Sequence, residues 1–171
     1  ISKKSFTVAV AGTHGKTTTS TMLAHILQQA GKENTAFLGG ISRNYNTNLL
    51  LSENNNILII EADEFDRSFL QFHPDVAIIT SVDVDHLDIY EDEKDLQLAF
   101  MQFASQVKEL LLVEKSIPLD FVVADQIRTI TYSTKSKADY FAENIRVQDG
   151  KMFFDMKSLA INSDVIPKKK E

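Results

Sequence analysis

A chain of 171 residues, 43% of them hydrophobic, is long enough to bury one sizeable core and too short for three domains. Its net charge of −6 argues against a general nucleic-acid binder, which needs a basic face, so any phosphate it takes is expected to be held locally. The absence of cysteine excludes disulfides and thiolate metal sites and fits a cytoplasmic protein; no apolar run approaches the roughly 20 residues of a membrane-spanning helix, and no signal peptide is expected before the first strand.

The first element organises the rest. Phe6 to Ala11 is a short apolar run rich in β-formers, Gly12 and Gly15 let the backbone turn tightly, and Lys16-Thr17-Thr18-Thr19 opens a helical pattern. Strand, glycine loop and helix in that order make a phosphate-binding P-loop. Loop amides and the helix N-terminus face anionic oxygens, a lysine adds charge, and a threonine hydroxyl can ligate Mg²⁺. The general spacing G-x-x-x-x-G-K-[ST] is not met, because Val10 stands where its first glycine belongs and the leading glycine is Gly12. The loop is therefore a variant, with phosphate contacts expected from Gly12, Thr13, His14, Gly15, Lys16, Thr17 and Thr18.

In the following helix Met22, Leu23, Ile26, Leu27 and Ala30 fall on one face, expected to pack on the sheet, and Gly31 stands where a C-terminal cap belongs. Thr35 to Leu38 reads as a second strand ending in Gly39-Gly40. The polar stretch ISRNYNTN after it reads as a surface loop. Two adjacent glycines permit a close backbone approach, which makes Gly40, Asn44 and Asn46 candidates for ligand contact. Ile57 to Ile60 is a continuous apolar run, as in a parallel strand buried on both faces. It delivers Glu61, Asp63 and Glu64 to its carboxyl end, where ligands gather in open α/β sheets. Glu61, directly after the run, is a candidate beside Mg²⁺; Glu64 and Asp66 read as a solvated turn.

Val76 to Thr80 is the next buried strand, and its continuation brings Asp83, Asp85, His86 and Asp88 to the same edge. His86 differs from His14, His25 and His73, which read as structural, because acidic residues flank it; imidazole suits Mn²⁺ better than Mg²⁺. From Glu91 to about Lys108 a helix is expected, with Leu96, Phe100, Phe103, Ala104 and Val107 as its core stripe. Leu110 to Val113 and Phe121 to Ala124 are short apolar runs. Arg128 to Tyr132, Tyr140 to Val147 and Met152 to Met156 alternate, with Gly150 at a hairpin turn. The expected fold is a single α/β domain over 1–171, a mostly parallel P-loop sheet flanked by helices, with a small antiparallel sheet over 127–157.

GTHGKTTT at Gly12 to Thr19, FLGG at Phe37 to Gly40, EADEFDRSF at Glu61 to Phe69 and TSVDVDHLDIY at Thr80 to Tyr90 together resemble the central, ATP-binding domain of the Mur ligases, most of all its alanine-adding branch. The resemblance covers about residues 5 to 160 and accounts for the shortened loop, since the family uses a G-T-x-G-K-[ST] form. It implies an ATP-dependent amide ligase of peptidoglycan synthesis that activates a muramyl carboxylate as an acyl phosphate, with UDP-N-acetylmuramate and L-alanine as substrates of the full-length enzyme. It implies that Lys16 holds the β- and γ-phosphates, that Thr17 ligates one Mg²⁺, and that Glu61 and His86 hold a second metal. Thr17, Glu61 and His86 should then converge on one cleft. The rival readings are a murein-peptide recycling ligase, a folylpolyglutamate synthase, or a P-loop ATP-hydrolysing switch. Both chain ends read as cut from something longer. The family's UDP-sugar and amino-acid domains and its G-x-H-N-type motif are not found, so an incomplete nucleotide site is expected.

Overall fold

A computed structural model describes residues 5–54, 56–83, 89–118 and 127–159. The expected run Phe121 to Ala124, and with it Asp85, His86 and Asp88, lies outside the described residues. Among these, nine strands form one sheet: β1 Phe6–Ala11, β2 Thr35–Ser42, β3 Thr47–Leu50, β4 Ile57–Glu61, β5 Val76–Ile79, β6 Leu110–Glu114, β7 Arg128–Ser133, β8 Tyr140–Gln148 and β9 Lys151–Ser158, in the order β3-β2-β4-β1-β5-β6-β7-β8-β9. Helix α1, Lys16–Gln29, follows β1, and helix α2, Glu93–Ser105, precedes β6.

The central strand is β1, paired in parallel with β4 on one side and β5 on the other. From β1 the chain runs through α1 to β2, beyond β4, whereas from β4 it crosses to β5 on the opposite flank. The carboxyl ends of β1, β4 and β5 therefore open onto a crevice where the winding changes direction, the place at which such sheets bind ligands.

Alternation along the buried strands divides the core between two faces. Ala9 and Ala11 of β1, Leu58 and Ile60 of β4, and Ala77 and Ile79 of β5 belong to one cluster with Leu96, Ala99, Phe100 and Phe103 of α2. Phe69, on a 3-10 turn at Ser68–Gln71, packs there against Phe100 and Phe103, with ring centroids 5.2 Å apart in each pair. The expected α2 stripe Leu96, Phe100, Phe103, Ala104 and Val107 is buried throughout. Ile59 and Ala36 face the opposite way, toward Ala24 of α1.

For α1 the expected face is wrong by part of a turn. Ser20 and Ala24 are its buried residues, with Leu23 and Leu27 packed at their sides, while Met22 and Ile26 are exposed. Small residues at 20 and 24 let the helix lie close on the sheet, and the two bulky ones are turned outward. Gly31 follows the helix at φ +69, as a C-terminal cap requires, and its N–H donates to the Gln28 carbonyl at 3.0 Å. The polar stretch after Gly40 is not a plain loop. β2 continues through both glycines to Ser42, and a turn with Asn46 at φ 54 returns the chain as β3, an antiparallel edge.

At the other edge β7 pairs in parallel with β6, so the antiparallel part is narrower than 127–157 and consists of β8 and β9. β7 and β8 are also parallel, although only residues 134–139 connect them. That short link suffices because the two strands overlap at two residues, Tyr132 opposite Tyr140 and Ser133 opposite Phe141. A reciprocal clamp holds the link: Asp139 Oδ2 accepts from the Thr131 amide at 2.8 Å and its hydroxyl at 2.7 Å, and the Asp139 amide donates back to Thr131 Oγ1 at 3.1 Å. The Thr131 amide, and then its hydroxyl, hold the Asp139 carboxyl below the usual carboxylate range.

A lowered carboxyl in the folded chain contributes stability that is present above the unfolded value and is lost as pH falls through the folded one. Asp139→Asn should therefore cost about 1 kcal/mol at neutral pH. The gap to the parent should close below about pH 4. Urea unfolding at a series of pH values checks this, and a gap that persisted in acid would contradict it.

Candidate phosphate and metal site

The loop between β1 and α1 is fixed from outside by the end of β5. Gly12 adopts φ +134, a conformation that side chains rarely tolerate, and a Cβ built there would lie 2.1 Å from Thr80 Oγ1 and 2.9 Å from the Ser81 amide nitrogen. Thr80 Oγ1 donates to the carbonyls of Ala11 and His14. Ser81 accepts the Thr13 amide on its carbonyl at 3.1 Å and the His14 amide on its hydroxyl at 2.9 Å, while Thr13 Oγ1 accepts the Asp83 amide at 2.9 Å. The amides of Thr13 and His14 are thus used to shape the loop.

Those that follow are placed differently. Gly15, in the left-handed region at φ 81, starts α1 without a side-chain cap, and no acidic residue stands in the first turn. The first intrahelical bond is Thr19 N–H to the Gly15 carbonyl, so the amides of Lys16, Thr17 and Thr18 precede the helical ladder. Helix α2 is the contrast: Asp92 caps it by accepting the Asp95 amide, and Glu93 and Asp95 stand in its first turn. The N-terminal dipole of α1 is left for an anion.

Beside that helix end lies a cleft of about 460 Å³ lined by Thr13, His14, Gly15, Lys16, Thr17, Thr18, Glu61, Asp63 and Phe65. Glu61, the last residue of β4, accepts from Thr17 Oγ1 at 2.9 Å and from the Gly39 amide at 2.7 Å. Thr17 and Glu61 are therefore in contact, as the sequence pattern expects, whereas His86 lies outside the described residues. The close approach expected at Gly39-Gly40 is taken by protein groups. A Cβ on Gly39 would fall 2.4 Å from Glu61 Oε1, and one on Gly40 3.4 Å from the Thr17 methyl. Asn44 is exposed and lines a neighbouring hollow of about 300 Å³ with Thr17, Thr18 and Ile41, while Asn46 supplies the left-handed turn.

Lys16 reaches across this cleft. Its Nζ donates to the Gly12 carbonyl at 2.8 Å and to both oxygens of Glu64, at 3.0 and 2.8 Å, with Asp63 Oδ1 at 3.7 Å. Glu64 is 0% exposed, which corrects the reading of it as part of a solvated turn. A charge so buried needs a partner, and Lys16 is that partner. Asp66 keeps its turn role: it is fully exposed, it accepts the Ser68 amide at 2.9 Å, and its bonds to Ser68 lower its carboxyl. Behind Glu64, the Tyr90 hydroxyl donates to the Glu64 carbonyl at 2.6 Å. Arg67 lies 4.7 Å over the Tyr90 ring and pairs with Asp95. Burial pushes the Tyr90 hydroxyl up to about 12, so it stays a donor at physiological pH.

Fold and site together define a P-loop α/β domain with an acidic strand end facing the loop lysine. The Mur ligase middle domain family matches residues 10–170, and the chain belongs to that family. It is 48% identical over 160 residues to the UDP-N-acetylmuramate–L-alanine ligase of Flavobacterium johnsoniae, a match covering 92% of this chain and 34% of the relative. It is also 48% identical to the enzyme of that name from Parabacteroides distasonis, over 91% of this chain and 34% of the relative. The chain thus spans about a third of the length of the curated relatives it matches. Among solved structures, the UDP-N-acetylmuramate-alanine ligase of Thermotoga maritima superposes with a TM-score of 0.76 at 27% identity, over 91% of this chain and 35% of that one. The MurF ligase of the same organism, solved in complex with ADP, shares the fold with a TM-score of 0.73 at 18% identity, over 91% of this chain and 38% of that one.

The two close approaches separate stability from site geometry. Gly12→Ala meets backbone and a disfavoured φ, and should cost about 3 kcal/mol or more. Gly39→Ala meets only the mobile end of Glu61 and should cost about 1 kcal/mol. Denaturant unfolding of both checks the ranking, and equal losses would contradict it.

Proposed function

We propose that this chain is the ATP-binding part of a ligase that joins L-alanine to UDP-N-acetylmuramate, the reaction for which its relatives are named, as a cytoplasmic step of peptidoglycan synthesis. The observation that carries this reading is the meeting of Lys16, Thr17 and Glu61 at one cleft beside the bare N-terminus of α1. Loop amides and Lys16 bind the phosphates of ATP. The γ-phosphoryl group passes to the muramyl carboxylate, and the amine of L-alanine displaces phosphate from the resulting acyl phosphate to form the amide. Transfer of this kind depends on positioning and charge neutralisation, which the loop supplies without a covalent nucleophile.

The residues present fit a divalent cation. Thr17 Oγ1 and Glu61 Oε1 are hard oxygen donors 2.9 Å apart, and Mg²⁺ needs only one or two such protein groups because it retains several waters. Held by these residues, Mg²⁺ or Mn²⁺ would neutralise phosphate charge. Thr17, Glu61 and His86 are the proposed ligands, and Gly40, Asn44 and Asn46 the proposed substrate contacts. No helix among the described residues is long and apolar enough to cross a membrane.

Calorimetry tests the loop and metal assignments. Lys16→Ala should weaken ATP binding about tenfold or more, the loss of a charged contact. Glu61→Ala should abolish most of the gain in ATP affinity that Mg²⁺ gives the parent. Parental values in both variants would refute the site.

Ligation itself requires carboxylate, amine and γ-phosphate held in line, and most of the rate gain comes from that positioning. The chain spans a third of its relatives, so it should form no UDP-N-acetylmuramoyl-L-alanine on its own with ATP, Mg²⁺ and both substrates. A rate within about tenfold of a full-length relative, a difference of ~1.4 kcal/mol, would contradict this. In a full-length protein, exchange of label between ADP and ATP that depends on UDP-N-acetylmuramate distinguishes a ligase from an ATP-hydrolysing switch.

A further inference from the structure

We infer that Glu64 is a positioning residue of the phosphate site, acting through Lys16: it holds the ammonium in place while the site is empty and gives up part of it to an incoming phosphate. The inference rests on reading the Gly12–Thr18 loop as a phosphate site, and it adds a residue that lies behind the cleft lining.

Among the described residues the Lys16 ammonium hydrogen-bonds two groups, the Gly12 carbonyl at 2.8 Å and the Glu64 carboxylate, whose two oxygens lie at 3.0 and 2.8 Å. A phosphate in the cleft that Lys16 borders draws the ammonium away from this carboxylate. Glu64 cannot follow it outward. Its side chain is 0% exposed, and the Tyr90 hydroxyl ties down its backbone carbonyl at 2.6 Å. Arg67, three residues on, is held in turn by Asp95 and by the Tyr90 ring. The carboxylate is thus a fixed point and the lysine a movable arm, whose side chain is 12% exposed and borders the cleft. Phosphate and Glu64 compete for the same ammonium. Among the described residues, Asp63 Oδ1, at 3.7 Å and more exposed, is the other carboxylate paired with the arm.

A double-mutant cycle on the 171-residue chain tests this, with ADP in EDTA as the probe so that metal binding does not contribute. Glu64→Gln keeps the shape and removes the charge, and should tighten ADP about tenfold, the scale expected for one charge removed a few ångströms from an anion. In a Lys16→Ala background the same substitution should change affinity by less than about twofold, because Glu64 acts on the phosphate through the ammonium that this background lacks. An equal effect in both backgrounds, or no tightening, overturns the role of Glu64 while leaving the loop assignment standing. Parental ADP affinity in Lys16→Ala overturns the loop assignment, and the inference with it.

A second measurement needs no variant at the buried position. In the parent chain labelled with ¹³C at glutamate and lysine side chains, the Glu64 carboxyl and Lys16 Cε resonances should shift together on addition of ADP, with one midpoint. A Glu64 signal that stays fixed while Lys16 moves overturns the inference.

Discussion

The Lys16–Glu64 pair is the contact on which the site depends, because it joins elements that arrive from opposite directions. Lys16 opens α1, after β1; Glu64 follows β4; and the aromatic and charged groups behind Glu64 come from the approach to α2 and its first turn. Removing one partner of a buried pair costs on the order of 3–5 kcal/mol, since the other group stays buried and loses the charge that faced it. The geometry of the phosphate loop and that of the acidic strand end are therefore not independent. Thr80 and Ser81 add the third side by fixing the loop to the end of β5, and the three parallel strands at the centre of the sheet become one rigid frame.

Much of that frame was legible in the residues. β1, β4, β5 and β6 are continuous apolar runs, and their reading needed no knowledge of partners. The core stripe of α2 follows the helical period, and the glycine loop announces its own turn. What was not legible depended on tertiary partners. Glu64 belongs to an acidic cluster whose other members are exposed or, for Glu61, half-buried, and nothing within the cluster distinguishes the buried carboxylate from Asp66, which caps a turn. A possible signal was the spacing of Glu64 from the apolar run, three residues beyond Glu61, but a buried counter-ion can be recognised only once Lys16 is known to face it. Thr80 and Ser81 looked like the tail of a strand, though each makes hydrogen bonds to the loop. For α1 the apolar positions 22 and 26 misled because the sheet demanded small residues, Ser20 and Ala24, at the closest approach. β3 was hidden by its polar approach, since an edge strand does not need the apolar run that a central one has.

Charge in the cleft has a consequence for what it can hold. Lys16 faces Asp63 and Glu64, and Glu61 stands at the same opening, so carboxylates outnumber the ammonium. A bare polyphosphate entering this space gains the loop amides and the helix dipole but meets repulsion from Glu61 and Asp63, while Lys16 is already neutralised by Glu64. A site of this composition favours a phosphate that brings its own cation. The metal proposed at Thr17 and Glu61 then changes the sign of the interaction on one side, and release of Lys16 from Glu64 changes it on the other. Both act at the same end of the nucleotide, where charge builds during phosphoryl transfer. The overall charge of −6 fits such local recognition, because the attraction comes from a few oriented groups and not from the field of the whole protein.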